Sequence, residues 1–73
     1  MSREISEEIR NFAKNVKSHR DKQKLTQEAL STLCNLEPST IYRIEHLKRL
    51  PSLDTAIKIS KGLNISLTKL IEQ

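Results

Sequence analysis

Glycine occurs once in this 73-residue chain, at Gly62, and tryptophan not at all; tyrosine, phenylalanine and cysteine occur once each. With Cys34 alone, no disulfide can staple the fold, and a single thiol suits a reducing compartment. One glycine cannot build a phosphate-cradling loop of the glycine-rich kind. No apolar run approaches the ~20 residues that cross a bilayer. The opening stretch MSREISEEIR is polar and acidic, unlike a signal peptide. A soluble, cytoplasmic protein is expected, with no membrane partner. Residues 1–73 form a single domain, because a chain this short has no room for a second core. Such a domain buries only about two-thirds of its surface.

Catalytic chemistry is equally short of parts. His19 and His46 fall on different predicted helices with Cys34 between them, so spacing assembles neither a metal set nor a nucleophile–base pair. No catalytic residue, metal, cofactor or small-molecule ligand is expected. His19 reads as a surface residue and Cys34 as a core residue.

Charge is present, and it is uneven. The net charge is +4 with a pI near 9.5. Residues 1–9 set Arg3 against Glu4, Glu7 and Glu8, a net of −2, whereas residues 10–24 set six Lys/Arg against Asp21, a net of +5. A basic segment beside an acidic end favours an anionic partner; the alternative is an ordinary solvated surface.

Apolar residues recur at helical spacing, and five short helices follow. Ser6 with Glu7 and Glu8 starts the first, whose stripe is Ile9, Phe12, Ala13 and Val16, ending near Asp21. Thr26 caps a second that turns Ala29, Leu30, Leu33 and Cys34 inward. Asn35 fits a left-handed turn, Leu36 points back to the core, and Pro38 opens a third helix over residues 38–46. Ser52 caps a fourth, with Leu53, Ala56, Ile57 and Ile59 as its apolar set and Asn64 as its stop. Ser66 caps a last helix through Leu67, Leu70 and Ile71. The class is all-α, a compact five-helix bundle.

Two charges fall where periodicity asks for apolar residues. Arg20 continues the stripe Ile9, Phe12, Val16, and Glu45 lies about 40° from Ile41 on the helical wheel. A buried charge without a partner costs several kcal/mol, so the pair is expected to meet and pin helix 1 to helix 3. The alternative is that Arg20 snorkels outward at its helix end. On the side of helix 3 opposite Ile41 and Ile44 stand Ser39, Tyr42, Arg43 and His46. A helix so short must be docked to exist, and it holds out these polar tips.

Helix 2, a turn and helix 3 span residues 26–46, the size of a helix-turn-helix unit. The run LTQEALSTLCNLEPSTIYRIEHLKRLPSLDTAIKISKGLNISLTKL resembles the Cro/repressor-type (XRE) helix-turn-helix family. Its markers are Thr26-Gln27, Leu30, Asn35-Leu36, Ile41, Ile44-Glu45 and Pro51-Ser52-Leu53, and the likeness runs from about Val16 to Leu70. The resemblance implies a lambda-repressor-like DNA-binding domain whose helix 3 enters the major groove of double-stranded DNA. It places Ser39, Thr40 and Arg43 at base edges, with Tyr42 toward a base or a phosphate. Arg43 matches guanine O6 and N7, and the Thr40 methyl matches thymine. Phosphate contacts are implied for Lys24, Thr26, Gln27, His46, Lys48 and Arg49. The family's buried arginine–glutamate bridge falls on Arg20 and Glu45.

The chain departs from that family at three points. Asn35 stands for a usual glycine and tolerates its geometry. Leu47 stands for a common glycine after helix 3 and is a poor left-handed residue, so HLKRLPS is expected to curve differently. Pro38, at the first base-reading position, has no donor.

At the other end, Leu63, Ile65, Leu67, Leu70 and Ile71 crowd into nine residues, more apolar surface than a small core covers. Residues 60–73 are therefore expected to form a homodimer, which would place two recognition helices about one DNA turn apart on a palindromic operator. The alternative is that these side chains cap the monomer's own core. Small free-standing members of the family include Cro-like phage regulators and the controller proteins of restriction–modification operons, which act near their own promoters; an autoregulatory transcription regulator is the implied function, whether a repressor, an activator or both by occupancy. The rival is a protein-interaction module that sequesters another regulator through the helices after Pro51. RNA is a weaker option, because its major groove is too narrow for helix 3.

Overall fold

The computed structural model describes residues 4–73, so Arg3 of the acidic end lies outside it. Five helices follow in order: α1 Glu7–Lys22, α2 Gln27–Leu33, α3 Thr40–Glu45, α4 Leu53–Leu63 and α5 Leu67–Ile71. Four of the five starts are written in the sequence. Ser6, Thr26, Ser52 and Ser66 hold extended backbone and accept the amide of the residue three further on, at 3.1, 2.9, 3.1 and 3.2 Å.

The ends share one device. In α1 the Leu25 amide donates to the Arg20 carbonyl and the Lys24 amide to Asp21, both at 3.0 Å. The same pair of bonds closes α2 (Leu36 to Ser31, Asn35 to Thr32), α3 (Lys48 to Arg43, Leu47 to Ile44) and α4 (Ile65 to Ser60, Asn64 to Lys61). This is the Schellman motif, which demands one left-handed residue per helix. Here those residues are Lys24, Asn35, Leu47 and Asn64, with φ of 59°, 59°, 56° and 59°, and none is glycine. Asn35 and Asn64 are as expected. Leu47 is not: it adopts the left-handed geometry despite its branched side chain, so the loop after α3 starts as its counterparts do.

The third helix begins two residues later than Pro38. The Thr40 amide donates to the Glu37 carbonyl at 3.0 Å, and Ser39 sits at φ −87°, ψ −3°. That is a type I turn, whose second position suits the fixed φ of Pro38. The buried Ser31 hydroxyl donates to the Pro38 carbonyl at 3.2 Å and holds the turn against α2.

The core is Phe12, Val16, Leu30, Cys34, Ile41, Ile44, Ala56, Ile59, Leu63 and Leu70. α1 touches α3, α4 and α5, while α2 packs on α3 and α4. Four expected core residues lie outside: Ala29 is exposed, and Leu33, Leu53 and Ile57 are 57%, 70% and 39% exposed. Both helices are rotated from the assumed stripe. α2 buries Leu30, Ser31 and Cys34, turning Leu33 about 100° from the middle of that arc. α4 buries Ala56, Ile59 and Leu63, leaving Leu53 and Ile57 on its flank.

Gly62 allows α4 to approach α2: a β-carbon there would collide with Cys34 Sγ. The far end is clasped by amides. Asn11 Nδ2 donates to the Ile71 carbonyl at 3.1 Å, and Asn15 Nδ2 to those of Leu70 and Glu72 at 2.9 and 2.6 Å. Five residues cannot persist as a helix in water, so α5 is held by α1. No helix among the described residues is long and apolar enough to cross a membrane.

Candidate nucleic-acid interface

Beneath the interface lies a charge network. Arg20 Nε and Nη2 donate to Glu45 Oε2 and Oε1 at 2.7 and 3.0 Å, a bidentate pair, and Nη1 donates to the Leu25 carbonyl at 2.8 Å. Gln27 Nε2 adds a bond to Glu45 Oε1 at 2.9 Å. The side chains of Arg20 and Glu45 are 10% and 2% exposed. Hydrogen bonding to Glu45 raises the Arg20 guanidinium above its ordinary range, against the opposing effect of burial. No buried side-chain nitrogen or oxygen among the described residues lacks a partner. One carboxylate thus ties α1, α2 and α3 together and fixes the tilt of a six-residue helix.

Gln27, for which a phosphate contact is expected, gives one Nε2 hydrogen to Glu45 and keeps a second on the same amide. Thr26 Oγ1 accepts the Ala29 amide at 2.9 Å, and Lys24 is exposed beside it.

On the outer side of α3, Ser39, Tyr42, Arg43 and His46 are exposed. Arg43 makes no ion pair among the described residues. Ser39, alone among the five helix starts, makes no side-chain capping bond, which leaves its hydroxyl free. Thr40 departs from expectation: it is 6% exposed. α3 buries residues 40, 41 and 44, the spacing by which α2 buries 30, 31 and 34, so its inward arc includes Thr40. A side chain so covered cannot offer its methyl to a base. Tyr42 stacks on His46, with ring centroids 4.2 Å apart and planes tilted by 31°. The sequence carried a signal for that pair in its i, i+4 spacing. Lys48 and Arg49 are exposed in the loop that follows, with their amides on the Arg43 carbonyl at 2.8 and 3.3 Å.

The expected association face also changes. Leu63 and Leu70 are 1% and 0% exposed, consumed by the domain's own core, while Ile65, Leu67 and Ile71 remain half-buried against it. The apolar groove that stays open is lined by Ile9, Phe12, Leu53, Ala56, Leu67 and Ile71, with Pro51 and Ser52 at one end. Leu53 stands on its edge.

Residues 16–70 match the family model described as helix-turn-helix. Control protein C.SmaI of Serratia marcescens is 37% identical over 60 residues, covering 82% of this chain and 71% of that protein. The restriction-modification controller protein C.AhdI from Aeromonas hydrophila superposes with a TM-score of 0.80 at 27% identity, over 85% of this chain and 94% of the other. A variant of the restriction-modification controller protein C.Esp1396I gives 0.81 at 26% identity, over 90% of each chain. A hypothetical transcription factor from Neisseria shares the fold, with a TM-score of 0.85 at 19% identity, over 99% of this chain and 85% of that one.

Proposed function

This chain belongs to the helix-turn-helix family, and from that premise we propose that it reads a specific double-stranded DNA sequence as a homodimer and regulates transcription near its own promoter, as a controller-type protein. The observation that carries the reading is α3 itself. A helix too short to stand alone is locked by a buried bidentate ion pair while Ser39 and Arg43 face outward with their polar groups free. Rigid presentation of a few donors is what base readout needs. Arg43 takes guanine O6 and N7; Ser39 donates or accepts beside it. Lys24, Thr26, Lys48, Arg49 and His46 flank these tips and supply sequence-independent phosphate attraction. Its relatives are named as control and controller proteins, and the chain sits with these regulators rather than with enzymes.

Dimerisation is assigned to the groove between α1, α4 and α5, with Leu53, Leu67 and Ile71 as its apolar contacts. Support comes from Leu53, which lines this groove and is 70% exposed. Residues 26–46 then form the reader and α4–α5 the self-association part.

Selection of bound duplexes from a randomised pool at near-physiological salt tests both assignments. The expected product is a two-fold symmetric motif with half-site centres about 10 base pairs apart. An unenriched pool would overturn sequence reading, and an enriched but asymmetric single half-site would overturn the dimer. If Arg43→Ala loses preference at one base pair of each half-site, the reader is on α3; a variant that enriches the same motif unchanged moves it elsewhere.

A further inference from the structure

His46 lies 2.9 Å from the Tyr42 carbonyl through Nδ1, and its own backbone amide donates to the same oxygen at 3.1 Å. A carbonyl oxygen can only accept. Nδ1 therefore carries the hydrogen, and in the neutral ring Nε2 is left with a bare lone pair. A phosphate oxygen is also only an acceptor, so neutral His46 has nothing to give it. Protonation places a hydrogen and a positive charge on Nε2 without moving the ring, which the Tyr42 stack and the Nδ1 bond already hold.

We propose that His46 engages DNA phosphate only as the imidazolium, so that DNA binding takes up a proton. This rests on the reading that α3 and its flanks lie on DNA. No carboxylate lies within 4.0 Å of His46 among the described residues. On its own segment the charged neighbours are Arg43, Glu45, Lys48 and Arg49. On the two helices that pack against α3, Arg20 is bound to Glu45 and Asp21 to Lys17, while Glu28 is exposed; Lys24 is exposed between them. None of these is arranged to replace the missing donor on Nε2. The sign follows from linkage: the bound state holds the extra proton, so affinity rises as pH falls.

The probe is a random-sequence DNA duplex at low salt, because a phosphate contact does not depend on base sequence. Anisotropy titrations from about pH 6 to about pH 8 should show Kd rising with pH, by at most about tenfold per pH unit for a single proton. Calorimetry in buffers of unlike ionisation heat should count uptake of up to one proton at the upper end. His46→Lys should bind tightly with no such slope, and His46→Gln, a neutral donor, less tightly with none. His19→Gln, at the other histidine, should retain the slope. A wild-type affinity that is flat with pH while binding persists overturns the proposal, as does a slope that survives His46→Gln. Failure of the chain to bind the duplex at any pH overturns the DNA-binding reading and this inference with it.

Discussion

Replacing Arg20 with methionine leaves the Glu45 carboxylate, 2% exposed, with Gln27 as its one remaining hydrogen-bond donor, and strips the Leu25 carbonyl of its partner. Breaking a buried pair from one side typically costs about 3–5 kcal/mol. At roughly 0.05–0.15 kcal/mol per residue, a domain of this length holds only about 4–11 kcal/mol in total. Arg20→Met alone therefore consumes roughly a quarter or more of the stability, and Glu45→Leu does similar harm by orphaning the guanidinium. The double variant should behave otherwise. With both charges gone, the loss reduces to the unmet Leu25 carbonyl, about 1–3 kcal/mol if it stays dry, and half-buried Gln27 can turn to water. The double should lose no more than about 3 kcal/mol, well short of the roughly 6–10 kcal/mol that the singles would sum to. Urea titrations followed by helical circular dichroism give the four free energies of the cycle. Additive losses, or an Arg20→Met effect below about 1 kcal/mol, would refute a buried pair and restore a solvated arginine at a helix end.

Gly62→Ala should destabilise by about 1–3 kcal/mol through the clash with Cys34 Sγ, although alanine suits a helix better by about 1 kcal/mol. In a Cys34→Ala background the new β-carbon meets only atoms at 3.7 and 3.8 Å, and the same change should turn stabilising; denaturant midpoints report the reversal of sign. Lys24→Gly should raise stability by about 1 kcal/mol by relieving a left-handed lysine, yet flatten the salt dependence of DNA binding by about one phosphate contact. Arg43→Ala should cost about 1–3 kcal/mol on the selected motif and relax preference at one base pair, read by competition with single-base variants. Burial pushes the Cys34 thiol above its ordinary range. Its contribution is fully present below the pKa of an unfolded thiol and is lost as pH rises past it, so wild type should lose ground to Cys34→Ala in alkaline denaturation experiments.

Local chemistry accounts for what the sequence made legible. Four capping hydroxyls, two asparagine turns and the helical spacing of apolar residues are each decided within a few neighbours, and the elements appear where those signals stand. Arg20 and Glu45 were legible for a related reason: a charge in an apolar stripe has few ways to be satisfied. The rotation of a short helix is not local. With six or seven residues, α2 and α3 carry too few apolar positions to fix their own angle, and packing decided for Ser31 and Thr40 over Leu33. Lys24 and Leu47 oppose their left-handed geometry by propensity and accept it because the next residue's amide closes the helix above. The likeness to a family placed Gln27 on phosphate without revealing that its side chain completes the coordination of Glu45. Leu63 and Leu70 were assigned to an interface because apolar density alone does not tell a core from a face.

The amide clasp of Asn11 and Asn15 on the end of α5 has a consequence for truncation. The open groove takes Ile9 and Phe12 from α1 and Leu67 and Ile71 from α5, so its walls are far apart in sequence. A fragment stopped before Leu67 keeps the helix that carries Arg43 but lacks one wall of the groove. On the homodimer reading proposed above, such a fragment would not poison intact copies by joining them.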